Sequence, residues 1–219
     1  MIKAVLFDLD GTLANSLKDL AVATNYALAT ENFPPRQTEE FKMFVGDGIA
    51  KMLERALPEN YRDSETVARM EKVFLKYYSV HYADTTSSYA GVDDLLNELQ
   101  KMGLIIAVVT NKAQEMADVV VEKLYGNTFK KVFGKREGIP AKPDPTLALL
   151  AMEELGVKPE ECVFLGDSGM DVLTAVNSGA LPVGELWGFR DEAELLANGA
   201  KYIINKPLEL LDIIKENNN

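Results

Sequence analysis

The chain has 219 residues, enough for one large domain or two small ones. Its 47% hydrophobic and 26% charged residues are those of an ordinary globular protein, and no run approaches the roughly 18 apolar residues that a membrane span needs. A formal charge of −11, from 23 Lys and Arg against 34 Asp and Glu, argues against nucleic acid or an anionic membrane as partner; one Cys and one His exclude disulfide scaffolds and Cys/His zinc sites, so any metal must be held by oxygen.

In chain order, Ala4-Val5-Leu6-Phe7 is a short apolar run that ends in Asp8-Leu9-Asp10-Gly11-Thr12. Such a run reads as a strand buried on both faces of a parallel sheet, and open α/β sheets bind ligands beyond the carboxyl ends of their strands. Asp8 and Asp10 therefore stand at a candidate site. The EF-hand calcium loop does not fit, because its glycine at position 6 and glutamate at position 12 are missing.

From residue 14 to about residue 83 the pattern is helical. Leu17, Leu20, Ala21, Thr24 and Leu28 recur at three- and four-residue steps behind the potential caps Asn15 and Ser16, and Ile49 to Leu57 and Val67 to His81 repeat the spacing. An all-helical insertion over residues 14–86 is predicted, with the polar run Asp84 to Ser88 leading back. His81 lies on the apolar stripe of its helix and reads as structural. Gly46-Asp47-Gly48 has no strand before it and is no dinucleotide fingerprint.

Strands and helices then alternate, as in parallel βαβ units. A helix over Val92 to Met102 precedes the apolar run Leu104 to Val109, which ends in Thr110-Asn111-Lys112; a helix from about Ala113 to Leu124 and a short strand at Lys131 to Phe133 follow. Lys142-Pro143-Asp144-Pro145 opens the next helix, with Asp144 suited to the cap and Pro145 to the first turn. Cys162 to Leu165 is a third strong strand, ending in Gly166-Asp167-Ser168-Gly169-Met170-Asp171; Leu181 to Val183 and Tyr202 to Ile204 are further strands, and Asn217 to Asn219 a frayed end. Parallel strands would bring Asp8/Asp10, Thr110/Asn111 and Asp167/Asp171 to one sheet edge.

Phe7-Asp8-Leu9-Asp10-Gly11-Thr12-Leu13, with the later Thr110-Asn111, Lys142 and Asp167/Asp171 clusters in that order, resembles the haloacid dehalogenase superfamily. The resemblance implies a doubly wound, Rossmann-like parallel-sheet core over residues 1–13 and 87–219, with residues 14–86 as an inserted helical cap. It implies Asp8 as nucleophile forming an aspartyl-phosphate, Asp10 as general acid and base, Thr110 and the Asn111 backbone as phosphate-binding groups, and Lys142 as the cation that offsets charge. Asp8, the Asp10 carbonyl and Asp167 would bind Mg2+, with Asp171 supporting the metal site. An aspartate at position 10 points to phosphate esters, since relatives acting on carbon–halogen or phosphonate bonds lack it.

Taken singly, each cluster has a plainer reading: Thr110-Asn111 as a helix cap, Lys142 as a loop lysine, Asp167 and Asp171 as a pair complementing a helix dipole. Their joint occurrence in order favours the site. With one Mg2+ and Lys142 against four ionised aspartates a charge of −1 remains, so one carboxyl is expected to move toward its protonated form.

Val45-Gly46-Asp47-Gly48 with Leu53-Glu54-Arg55-Ala56-Leu57, and Trp187-Gly188-Phe189-Arg190, resemble the phosphoglycolate phosphatase branch. Gly46 and Gly48 then read either as substrate-contacting glycines of the cap or as a turn between cap helices. Asn15, Ala90 and Asn177-Ser178 depart from that branch's usual residues. The expectation is a cytoplasmic, magnesium-dependent phosphatase, monomeric or homodimeric, acting on a small phosphorylated metabolite, 2-phosphoglycolate foremost. A pyrophosphatase, a sugar-phosphate mutase and a non-hydrolytic phosphoacceptor module are the alternatives.

Overall fold

A computed structural model describes residues 1–219, and the chain divides into two compact units, Met1–Ala14 with Ser88–Asn219, and Asn15–Ser87. The first unit begins with β1 (Ala4–Phe7). Beyond the loop that follows β1, β2 (Ala14–Asn15) pairs with β3 (Ser87–Ser88), the short strands at which the chain leaves and re-enters this unit.

Between them the second unit holds α1 (Leu17–Thr30), α2 (Phe41–Phe44), α3 (Ile49–Ala56) and α4 (Ser64–His81). Asp63 caps α4 by accepting from Thr66 N, which satisfies one of the helix's unpaired amides. At the other end of α3, Arg36 Nε donates to the Ala56 carbonyl at 2.7 Å and Arg62 Nε to that of Leu57 at 3.0 Å. Aromatic stacking of Phe74 on Tyr78 and of Tyr26 on Tyr77 lines α4. His81 stacks on Tyr77 and contacts the Asp84 carboxylate at 2.7 Å, which accounts for it structurally.

The return of the chain is not a loose linker. Asp19, in the first turn of α1, accepts from the amides and the hydroxyls of both Thr85 and Thr86 at 2.6–3.0 Å.

The remainder of the first unit runs α5 (Val92–Lys101), β4 (Ile105–Ala113), α6 (Gln114–Tyr125), β5 (Lys131–Lys135), α7 (Thr146–Leu155), β6 (Cys162–Gly166), α8 (Gly169–Ser178), β7 (Leu181–Glu185), α9 (Glu192–Ala197), β8 (Tyr202–Ile204) and α10 (Leu210–Asn218). The main sheet is parallel with strand order β5-β4-β1-β6-β7-β8. β1 is fully buried and central, so its carboxyl end lies where the winding of the sheet reverses. Side chains alternate across it. Ala4 and Leu6 join Val109, Phe133, Phe164 and the inner face of α7 in one core layer, while Phe7 meets Phe129 edge to face on the other side. Full burial of side chains such as Leu6 and Phe164 stabilises by roughly 1.5–3 kcal/mol each. No helix is long and apolar enough to cross a membrane.

Three elements end differently from the sequence expectation. β4 continues to Ala113, with a register shift between Val109 and Ala113 that takes Thr110, Asn111 and Lys112 out of the regular ladder. Pro145 precedes α7 rather than opening it, and Asp144 Oδ1 accepts from the amide and the hydroxyl of Thr146. The carboxyl terminus stays helical to Asn218, whose side-chain carbonyl accepts from Ile2 N at 2.5 Å, so fraying is suppressed by a long-range bond that composition does not report.

Candidate active site

Four parallel strands deliver polar side chains to one end of the sheet: Asp8 and Asp10 after β1, Thr110 to Lys112 in β4, Asp167 after β6, and Glu185 at the end of β7. The turn after β1 depends on Gly11. Its φ is +98°, and a Cβ there would stand 2.5 Å from Asp167 Oδ2, so only glycine lets the two loops approach this closely.

Carboxylate oxygens of Asp8, Asp167 and Asp171 all lie within 4.8 Å of one another. Lys142, 3% exposed, inserts among them: its Nζ donates to Asp8 Oδ1 at 2.7 Å and to Asp171 Oδ1 at 2.5 Å. The second oxygen of Asp171 accepts from Ser168 N and Oγ at the start of α8, so this carboxylate serves the helix cap and the lysine together. Asn111 brackets the backbone of Lys142, accepting from its amide at 2.8 Å and donating to its carbonyl at 3.3 Å.

The electrostatics follow from burial with an excess of carboxylates. Removal from water raises Asp8, the Lys142 charge pulls it partly back, and it settles at about 6. Asp167 is driven well above the usual carboxylate range, first by burial and then by the charges of Asp171 and Asp8. Its donors, Phe189 N at 2.9 Å and Thr12 Oγ1 at 3.5 Å, are neutral. Burial by itself would lower the Lys142 ammonium, but Asp171 and Asp8 outweigh it and hold the group above the ordinary lysine range.

Two charged groups escaped the sequence reading. Lys112 spans both oxygens of Asp10, at 3.0 and 3.1 Å. Asp10 therefore has its own cation, which corrects the sequence-based charge count. Glu185 is fully buried and pushed up to about 10 by burial and by the Asp167 charge. The ensemble is five carboxyl groups against two ammonium groups; burial pushes Asp8, Asp167 and Glu185 toward their protonated forms, a crowding that a bound dication would relieve. The donors are all oxygen, which fits a hard divalent ion rather than zinc.

Gly46 and Gly48 belong to the other unit. They flank Asp47 in the turn before α3, with φ of +121° and +91°, and Arg55 fixes that turn by pairing with Asp47 and donating to the Phe44 carbonyl. The turn conformation by itself requires glycine at both positions.

Residues 5–183 match the haloacid dehalogenase-like hydrolase family. A phosphoglycolate phosphatase from Chromobacterium violaceum is 36% identical over 98% of this chain and 97% of its own length. An N-acetylmuramic acid 6-phosphate phosphatase from Pseudomonas aeruginosa is 31% identical over 97% of this chain and 95% of its own. A crystal structure from Lactobacillus delbrueckii subsp. bulgaricus, of a protein assigned as a phosphoglycolate phosphatase, superposes with a TM-score of 0.91 at 32% identity, covering 97% of this chain and 98% of that one.

Proposed function

The chain belongs to the haloacid dehalogenase-like hydrolase family and is a phosphatase of its phosphoglycolate phosphatase-like branch; from that premise we propose that it hydrolyses a small phosphomonoester, 2-phosphoglycolate foremost, through an aspartyl-phosphate on Asp8 and with Mg2+ as its metal. The observation that carries this reading is the separate pairing of two carboxylates two residues apart, Asp8 with Lys142 and Asp10 with Lys112. Two environments permit two roles.

Asp8 attacks phosphorus while Lys142, steadied by Asp171 and by the clasp of Asn111 on its backbone, offsets the charge that gathers on nucleophile and phosphate. Asp10 gives its proton to the departing alkoxide. It then takes a proton from the water that attacks the acyl phosphate, which releases inorganic phosphate and restores Asp8. Lys112, which donates to both oxygens of Asp10, holds that carboxyl group in place. Thr110 and the Asn111 amide hold phosphate oxygens. Asp8, the Asp10 carbonyl and Asp167 would hold the magnesium ion, with Asp171 in support. The bound ion supplies charge neutralisation between carboxylate and phosphate. The helical unit Asn15–Ser87 acts as the cap that selects substrate, with the amides around Gly46 and Gly48 as its contact to an anionic group.

The test is phosphate release from 2-phosphoglycolate, N-acetylmuramic acid 6-phosphate, sugar phosphates, nucleotides and pyrophosphate, with and without Mg2+, by wild type and Asp8→Asn. Release that needs Mg2+, is fastest for 2-phosphoglycolate and falls by about 10⁴-fold or more in the variant is expected. No release by folded wild type overturns the reading.

A further inference from the structure

Glu185 ends β7 fully buried, and its two oxygens have unequal lives. Oε2 accepts from Trp187 N at 2.6 Å and from Gly188 N at 3.1 Å, which caps the turn after the strand. Oε1 is buried and has no hydrogen-bond partner. A buried carboxylate oxygen without a donor is costly, and an apolar side chain would fill this end of the strand without that cost. Turn capping explains only half of the group.

The surroundings of that oxygen point to what the other half is for. Trp187, Gly188 and Phe189 form one turn whose successive amides serve Glu185, Glu185 again and Asp167. A Cβ on Gly188 would stand 2.6 Å from Glu185 Oε1, 2.7 Å from the Gly11 carbonyl and against the Cβ of Asp167. The absence of a side chain at Gly188 is thus what brings the unpartnered oxygen, the nucleophile loop and Asp167 together. The indole of Trp187 ties the same turn to the Thr12 carbonyl at 2.9 Å. The phenol of half-buried Tyr89, raised by burial and further by the charges of Asp167, Glu185 and Asp10, reports the three carboxylates from one point.

We propose that Glu185 is an outer carboxylate of the metal site, its Oε1 accepting a hydrogen bond from a water on a divalent cation held by Asp8 and Asp167. This rests on the cation site proposed above, and makes Glu185 a positioning residue for the ion rather than a direct ligand. Outer partners of this kind commonly govern metal affinity by about 10–100-fold.

Glu185→Gln tests it. The amide oxygen can still accept from Trp187 N and Gly188 N, while an NH2 replaces the acceptor that the cation's water needs. Metal-free protein is titrated with Mn2+ and free Mn2+ is read by electron paramagnetic resonance, with Asp167→Asn as the reference for a lost site and Trp187 near-ultraviolet dichroism as the check on folding. The expected result is binding by wild type and binding weaker by about tenfold or more in Glu185→Gln. Equal affinity, within twofold, overturns the role of Glu185 and leaves the cation site standing. No binding by wild type overturns both. If the variant does not fold, wild type with 13C-carboxylate-labelled glutamate decides: a labelled band in the infrared difference on adding Mg2+ is expected, and its absence overturns the proposal.

Discussion

Asp19 and Asp167 are both buried aspartates, one in each unit, and their surroundings are opposite. Asp19 is saturated: burial would raise it, but the hydroxyls and amides of Thr85 and Thr86 outweigh that effect and hold it below its ordinary value. Asp167 has neutral donors, two carboxylates for neighbours and a pKa driven upward. A carboxylate with a full complement of donors is part of the fold. One that is buried and short of them costs stability, and a bound cation would relieve that cost.

If that division is right, substitutions in the charged cluster cost turnover, and substitutions at Asp19 cost stability. After Asp8→Asn, the largest effect should come from Asp10→Asn. Loss of the acid and base proposed for both half-reactions should cut turnover of 2-phosphoglycolate by roughly 10²–10⁴-fold. With p-nitrophenyl phosphate, whose leaving group needs no proton, a burst of nitrophenolate followed by slow turnover is expected in stopped-flow traces. A Tm that moves little would place Asp10 on the functional side of the comparison, and a collapse of the fold would break it.

Asp19→Ala should do the reverse. It strands the amides and hydroxyls of Thr85 and Thr86 at the point where the chain leaves the helical unit, at a cost of about 2 kcal/mol. That corresponds to a Tm lower by roughly 4–8 °C in a thermal melt. Because the folded pKa of Asp19 is depressed, its contribution is present above the unfolded carboxylate value near 4 and disappears as pH falls through the folded value. The gap between wild type and variant should therefore close in acid.

The same contrast explains what could be read from the sequence. Asp8 and the Asp167/Asp171 cluster are legible because each follows an apolar run, whereas Lys142 is marked only by the family resemblance; local pattern marks the ends of strands, and a parallel sheet gathers those ends. Lys112 and Glu185 are not legible in this way. Lys112 finds Asp10 across 102 residues of sequence, and nothing local distinguishes a lysine with a buried partner from one in water. Glu185 follows Gly184, which reads as a stop; pairing of Glu185 with Ile204 of β8 carries the strand onward and the side chain inward. The tie of Asp19 to Thr85 and Thr86 is hidden for the same reason, since a polar run is the ordinary signature of a linker.

Asp167→Asn gives the smallest effect and the sharpest one, because its sign should depend on metal. In metal-free protein Asp8 and Asp167 have folded pKa values raised above the unfolded value, so the stability linked to their protons is complete below about pH 4 and is lost as pH rises, through about 6 for Asp8. Removing the Asp167 charge relieves that loss, and metal-free Asp167→Asn should melt above metal-free wild type at pH 8 by roughly 2–4 °C for each kcal/mol regained. With saturating Mg2+ the order should invert, since the cation stabilises only a protein that can bind it. Calorimetric scans of both proteins at pH 5 and pH 8, with and without Mg2+, contain the whole test. A variant that melts lower under every condition would mean that Asp167, like Asp19, belongs to the fold.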